Sequence, residues 1–461
     1  MRTLVLLHFL AASRPQISNY GEDFYVGFMR NYNLQTVELK LVVLTEDNLP
    51  VRFDVETSSG VVYSGTTTAS SADTVSISSS LQTNSGSYFY RNNGIHVHTI
   101  GQGSISVLAI NYQAGSVGDY LAYPCGLALG DPPYEYYVIS TGSSLSPPAV
   151  QSEILLVGCE NDTLITITPT HTVGIPVDAQ NPSSNLQSVQ NGSSHQIILN
   201  KMQTLLIGKV DVNLTGFKIV SNKPLTVVSG HECGNVPSTQ DYCDHLAVSI
   251  PPTSTWGQEF LLVPFGGRNV GQYYKIVSSQ SSTTVVRRCN SVTSTQTLTS
   301  AGSSFTFFTS STTYCSMVAN KPVLVSQLGI GGGTDNIGDP IISILPSLDQ
   351  YINRYSFFSL NTTDFNIHQI SVSVLAQYYQ PSGIRLDGQP ISCTWSAIYN
   401  SGGTVVGHGC TKSVTGGTTH VVSHSNPDAK LAVLVYGWNF NTLRGYGHFA
   451  GLKPKPSDQG K

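Results

Sequence analysis

The sequence predicts an all-β protein made of tandem, disulfide-stapled, sandwich-like modules with essentially no helix. Composition is the first observation behind this. The 461 residues are rich in Ser and Thr and carry 43 Gly and 23 Tyr but only 4 Met, and β-branched and aromatic side chains suit a pleated surface. Periodicity is the second, because apolar and polar residues alternate in short runs and no stretch sustains a helical period. The third is a two-strand pattern that recurs about every 100–120 residues, the size of one sandwich.

The elements follow in order. The opening "MRTLVLLHFLAASRPQ" has one basic residue, an apolar run from Leu4 to Ala12 and small residues before Ser13. It reads as a short secretory signal over 1–13. Four β modules are expected at 14–145, 146–265, 266–360 and 361–451, with a polar tail over 452–461. The first opens on "GEDFYVGFMRN" and carries "GIHVHTIGQGSISVLAINY" from Gly94, two strands about a turn at Gly101-Gln-Gly103. The later copies are "GFKIVSNKPLTVVSG" from Gly216, "SMVANKPVLVSQLG" around Asn320-Lys-Pro322, and "HVVSHSNPDAKLAVLVYG" from His420. Each is expected to be a β-hairpin, since alternation flanks a short polar turn. After three of them come an aspartate and a proline, Asp119 and Pro124, Asp244 and Pro251, Asp339 and Pro346. Next comes an aromatic strand: "EYYVIS" from Glu135, "TWGQEFLLVPF" from Thr255, "RYSFFSL" from Arg354. The three aspartates are expected to cap their own loops as Asx-type turns, with a shared calcium role as the weaker alternative.

Charge narrows the function classes. Only 11% of residues are charged and the net charge is -4, which leaves no basic patch for nucleic acid or an anionic membrane. After the opening segment no apolar run approaches the ~18 residues of a membrane span. The eight cysteines, in a chain with a secretory start, are expected to form disulfides. Their order along the modules predicts neighbour pairing: Cys125 with Cys159, Cys233 with Cys243, Cys289 with Cys315 and Cys393 with Cys410. Glycosylation sequons at Asn161, Asn191, Asn213 and Asn361 agree with a secreted, extracellular protein.

The densest polar stretch is "HECGNVPSTQDYCDHL" from His231. Zinc bound by His231, Cys233, Cys243 and His245 is one reading. A disulfide-stapled loop is the preferred one, because Cys-x9-Cys is unlike the close pairs of structural zinc sites and secreted cysteines oxidise. Asp244 and His245 are neighbours on an extended strand and point to opposite faces, so they make a poor catalytic pair. The pairs Tyr136-Tyr137, Tyr273-Tyr274 and Tyr378-Tyr379 should each put one ring in the core and one in solvent. Sugar stacking is the weaker reading of the outer rings. Trp256 is expected to anchor the core. A glycoside hydrolase would need two carboxyls about 5–10 Å apart, and no pair of acids stands in a recognisable setting. No cofactor is expected.

The stretch Gly230 to Phe265 resembles the N-terminal region of the IgGFc-binding protein family. The likeness lies in Gly230-His231-x-Cys233, Cys243-Asp244-His245-Leu246, Pro251-Pro252 and Trp256-Gly257-x-Glu259-Phe260. In weaker form it extends from about Gly21 to Gly451, strongest over 216–451, and includes the closing "YGWNFNTLRGYGHFAG". The resemblance implies a secreted, non-enzymatic protein of mucus or matrix that binds an extracellular protein or glycan, with no catalytic residue to carry over. The chain departs from large mucin-like relatives in having too few cysteines for their type D modules. Gly130-Asp-Pro-Pro133 and Gly338-Asp-Pro-Ile341 share only three residues with the Gly-Asp-Pro-His cleavage motif of those modules. The expectation is therefore a stand-alone module or a piece of a larger product.

Overall fold

The computed structural model describes residues 18–32, 37–83, 90–127, 131–142, 150–176, 186–333, 335–360, 363–441 and 443–453. The signal segment 1–13, Gly130, the sequon Asn361 and the tail from residue 454 on lie outside them. Among the described residues the helical elements are six 3₁₀ turns of three residues each, and the rest of the regular structure is antiparallel strand. The fold is all-β, in tandem sandwiches that repeat one strand order.

In the first sandwich one sheet runs Asp23–Val26, Ile95–Thr99, Val51–Thr57, Gly60–Thr67, and the other Asp73–Ile77, Glu38–Leu44, Ser106–Gln113, Ser116–Ala122. The second has Tyr134–Tyr137, Lys218–Ser221, Thr163–Thr168, His195–Leu199 over Thr204–Val210, Gln151–Gly158, Leu225–Asn235, Cys243–Ser249. The fourth has Arg354–Phe358, Thr419–His424, Ile384–Leu386, Gln389–Pro390 over Val405–Ser413, Ile367–Leu375, Leu431–Asn439, Arg444–Phe449, with Ser396–Tyr399 added outside Val405–Ser413. The third differs in one respect. Its strand Cys315–Gly329 passes through both sheets, pairing first with Thr283–Cys289 and Gly257–Leu262, then with Gln272–Ser278 and Ile341–Ile344.

This order corrects the expected hairpins. Lys218–Ser221 and Leu225–Asn235 do not pair with each other: the former lies between Tyr134–Tyr137 and Thr163–Thr168, the latter between Gln151–Gly158 and Cys243–Ser249. The same holds on either side of Gly101-Gln-Gly103 and of Asn426-Pro-Asp428. The polar turn carries the chain from one sheet across the core to the other. Alternation could not tell the two cases apart, because strands bury one face toward the interior whether they lie side by side or stacked.

The true hairpins join each long core strand to the next: Ser106–Gln113 to Ser116–Ala122, Leu225–Asn235 to Cys243–Ser249, Leu431–Asn439 to Arg444–Phe449, and the end of Cys315–Gly329 to Ile341–Ile344. In each case the second strand is an edge. The four edges converge on one axis, where Ser116–Ala122 meets Cys243–Ser249 and Arg444–Phe449, and Ile341–Ile344 meets the same two from the far side. Glycines allow the approach: a Cβ on Gly118 would lie 2.4 Å from the His245 ring, and one on Gly445 2.6 Å from the Asp339 carbonyl. Mutual burial covers edges that would otherwise invite pairing with other chains.

Apolar cores run across every boundary. Leu155, Leu206 and Val228 pack into the first core, and Leu324, Leu328 and Ile342 into the second. Phe265 and Ile341 pack with Leu434 and Trp438, and Val42 and Leu108 with Val372 and Val433. The sandwiches therefore form a closed ring, with the first against the fourth as well as the second.

Candidate functional site

The three recurring aspartates meet at this axis. Asp244 is fully buried; its Oδ1 accepts from Ser116 Oγ at 2.8 Å, Val117 N at 2.6 Å and His245 N at 2.8 Å, and its Oδ2 from Gly445 N at 3.3 Å. Asp119 accepts from Gly447 N at 2.9 Å and pairs with His448 Nδ1 at 2.6 Å. Asp244 and Asp119 do cap backbone amides, but mainly those of neighbouring sandwiches, which corrects the Asx-turn expectation for these two. The surrounding N–H donors also suit an anion rather than a calcium ion. Asp339 is buried with Oδ1 lacking a hydrogen-bond partner, and burial together with the Asp244 charge holds its carboxyl far above the usual range. Burial likewise raises Asp244. Burial and mutual repulsion therefore both favour the neutral form of a carboxyl in this pair.

A second acid pair sits in the second sandwich. Glu153 is buried, and burial and the nearby Glu232 push its carboxyl well up. Glu232 is held by Arg30 Nε at 2.9 Å and accepts from Gln151 N at 3.2 Å. Lys275 donates to the Ser140 carbonyl of the second sandwich and is lowered to about 8 by burial. Arg30 with Glu232, and Lys275 with the Ser140 carbonyl, thus join neighbouring sandwiches through buried polar contacts.

The stretch from His231 is the hairpin next to the axis. Cys233 and Cys243 are bonded to each other across it, so neither offers a thiolate. His231 Nδ1 accepts from Cys233 N at 3.1 Å, and burial and His245 bring the ring down to about 3. His245 contacts the His231 carbonyl at 3.2 Å and Asn111 at 3.4 Å, and burial lowers it to about 4. Both rings stay neutral, as packed core histidines. The other disulfides join Cys125 to Cys159, Cys289 to Cys315 and Cys393 to Cys410. Asn161 and Asn191 are exposed, whereas half-buried Asn213 accepts from Thr215 Oγ1 at 2.6 Å.

The remaining motif residues shape an open feature. Gly230 is buried, and a Cβ there would lie 1.6 Å from the Leu246 carbonyl oxygen, while Leu246 and Phe260 are core residues. Pro251 accepts from Trp256 Nε1 at 2.9 Å, and Pro252 starts the 3₁₀ turn that leads to Trp256. Trp256 itself is 7% exposed and meets Tyr137 edge-on at 6.4 Å. Beyond it lies a cleft of about 710 Å³ between the third and fourth sandwiches. Its apolar wall includes Leu348, Leu375, Val405 and Val406, and Gln258, Glu259, Asp349 and Gln377 are its exposed polar groups.

The tyrosine pairs follow the expected alternation only once. Tyr274 is buried and Tyr273 half-buried, but Tyr136 and Tyr137 are both buried because the third sandwich covers the outer ring. Tyr378 and Tyr379 lie at a 3₁₀ turn and are both half-buried, with Tyr379 stacked on His408 at 3.5 Å.

Fold and site define a disulfide-stapled ring of β-sandwiches whose buried acids lie at its joints and which opens a cleft beside the aromatic turn of Trp256. The family model described as IgGFc binding protein matches residues 118–437, and the chain belongs to that family. It is 24% identical over 229 residues to the human IgGFc-binding protein, a match that spans 49% of this chain and 4% of that relative. A solved structure of trypsin-activated alpha-2-macroglobulin from Escherichia coli aligns with 95% of this chain and 41% of its own at 10% identity, with a TM-score of 0.12, too low to carry any argument.

Proposed function

We propose that the chain is a secreted, non-enzymatic binding and scaffolding module of mucus or extracellular matrix, and that it holds a protein ligand in the cleft beside Trp256. The observation that carries this is the cleft: about 710 Å³, an apolar wall, and an acidic rim of Glu259 and Asp349. That volume lies in the range of ligand sites, and the rim suits an apolar segment flanked by basic residues. Glu259 and Asp349 are both exposed rather than enclosed, which is a poor setting for the general acid of a glycosidase. Exposed Asn161 and Asn191 are the proposed glycan carriers.

The human relative is named for binding the Fc part of IgG, which makes Fc the first ligand to try. Binding of the secreted chain to Fc and to purified mucin is measured by interferometry, with Glu259→Lys/Asp349→Lys as the variant. The reading expects at least about a tenfold loss, since like charges at a contact cost over 1 kcal/mol; unchanged binding removes the cleft from it. A second reading, carbohydrate binding, is favoured by the partly exposed cluster of Tyr378, Tyr379 and Trp395. A glycan array that lights up, and darkens with Tyr379→Ala, selects it.

A further inference from the structure

On the outer sheet of the first sandwich, far in sequence from the family motif, His96-Val97-His98 lies on the strand Ile95–Thr99 between Asp23–Val26 and Val51–Thr57. Residues two apart on a strand share a face, so both imidazoles project to the same side. Cross-strand register sets Glu56 and Tyr25 on either side of His96, and Asp54 and Asp23 on either side of His98. His96 Nδ1 is 3.0 Å from Glu56 Oε2, and its Nε2 is hydrogen-bonded to Asp23. The His98 ring stacks on His96 with centroids 4.4 Å apart, and its Nδ1 is buried without a hydrogen-bond partner. One ligating atom from each of Glu56, His96 and His98 lies within 4.8 Å of the others.

We propose that Glu56, His96 and His98 form a binding site for a divalent transition-metal ion of the zinc type. Two imidazoles and one carboxylate are a set that zinc accepts at about 2.0–2.2 Å per bond, with a fourth position left for water or an incoming ligand. Binding requires the His98 ring, stacked on His96 with 18° between the planes, to turn until both in-plane lone pairs point at the ion, and Glu56, with a third of its side chain exposed, to move with it. Asp23 is the positioning residue: its bond to Nε2 frees Nδ1 to face the metal, the usual carboxylate–histidine–metal relay. The arrangement differs from a plain surface ion pair in one respect. A triad of Glu56, His96 and Asp23 has no use for His98, whose buried Nδ1 would remain unsatisfied, whereas a metal gives it a partner. Nearby Lys201, over the Tyr25 ring at 5.5 Å, offsets one of the two carboxylate charges.

The test titrates zinc chloride into the full untagged chain after chelation, by calorimetry, and repeats it with cobalt(II) read by its visible absorption. One ion per chain is expected, with tetrahedral or five-coordinate cobalt spectra. His98→Ala should weaken binding by at least about 100-fold, and Asp23→Asn by about 10- to 100-fold as an outer-shell change. Melting without metal shows that the variants are folded, and His98→Gln replaces His98→Ala if the latter is not. No stoichiometric ion below about 100 µM zinc, or zinc binding that survives His98 substitution in a folded variant, overturns the proposal; affinities beyond that are too weak to be a built site.

Discussion

Asp244→Ala removes the acceptor shared by three parts of the ring. Four donors lose it: Ser116 Oγ and Val117 N of the first sandwich, His245 N of the second, and Gly445 N of the fourth. His245 N keeps Ser116 Oγ as an acceptor at 3.1 Å, and each of the other three buried donors left unpaired costs about 1–3 kcal/mol. Relief of the Asp339 repulsion and water entry offset part of that, so the expected net loss is about 4–6 kcal/mol. That is a large share of the ~5–15 kcal/mol that holds a typical domain. Asp244→Asn keeps one oxygen for the three shorter bonds and loses only the one to Gly445, so about 1–2 kcal/mol is expected. Urea unfolding gives the free energies, and hydrogen exchange at Val117 and Gly445 shows where protection is lost. An alanine variant within about 1 kcal/mol of the parent, or one in which those amides stay protected, refutes the axial role of Asp244.

Glu46 accepts from Ser356 N at 2.7 Å across the first–fourth boundary, and burial raises it from 4.5 to about 7. Between those values Glu46 binds more proton in the folded than in the unfolded chain, so its contribution to stability falls as pH rises, by about 3 kcal/mol in all; Glu46→Gln should shift the slope of unfolding free energy between pH 4.5 and 8 by that amount relative to the parent. His231 and His245, lowered to about 3 and 4, give the opposite slope below pH 6.5, because the unfolded chain takes up their protons first. Cys233→Ser/Cys243→Ser opens a loop with a sequence separation of 10 and should cost about 2–3 kcal/mol in urea unfolding. Gly338 has φ 64°, and a Cβ there would lie 1.9 Å from Trp438 Cδ1. Gly338→Ala should therefore lower the melting temperature by well over 5 °C, whereas Gly388→Ala, at φ 80° with nothing within 4 Å, should lower it less.

Alternation and turn residues made the strands legible, and the resemblance around Gly230–Phe265 made the family legible. What local pattern could not carry was pairing. Lys218–Ser221 and Leu225–Asn235 look like a hairpin because each is amphipathic, yet the choice between neighbour and opposite sheet is made by strands 50 to 80 residues away. The recurrence of Asp119, Asp244 and Asp339 was visible, but not that the partners of Asp119 and Asp244 belong to other sandwiches, since contacts such as Asp119 to His448 span 329 residues. Tyr137 departs from alternation for the same reason: the face that would meet solvent in an isolated sandwich is covered by the third. The cleft draws on segments around residues 256–259, 348–349, 375–377 and 405–406 and on Pro322; the first and Pro322 stood in patterns visible in the sequence, but nothing there brought them together. His96 and His98 had the spacing of a shared strand face; Glu56 became their neighbour only through register.

Photo-crosslinking tests the binding role of the cleft most directly. A photoreactive residue is placed at Gln377 inside the cleft and, as a control, at exposed Gln296 on the strand Val292–Leu298. Each chain is irradiated with the Fc fragment and with mucus extract, and the adducts are identified by mass spectrometry. A protein adduct at Gln377 that is absent at Gln296, and that fades with Glu259→Lys/Asp349→Lys, is the result expected. Equal capture at both positions, or capture at Gln296 alone, contradicts a protein ligand held in the cleft.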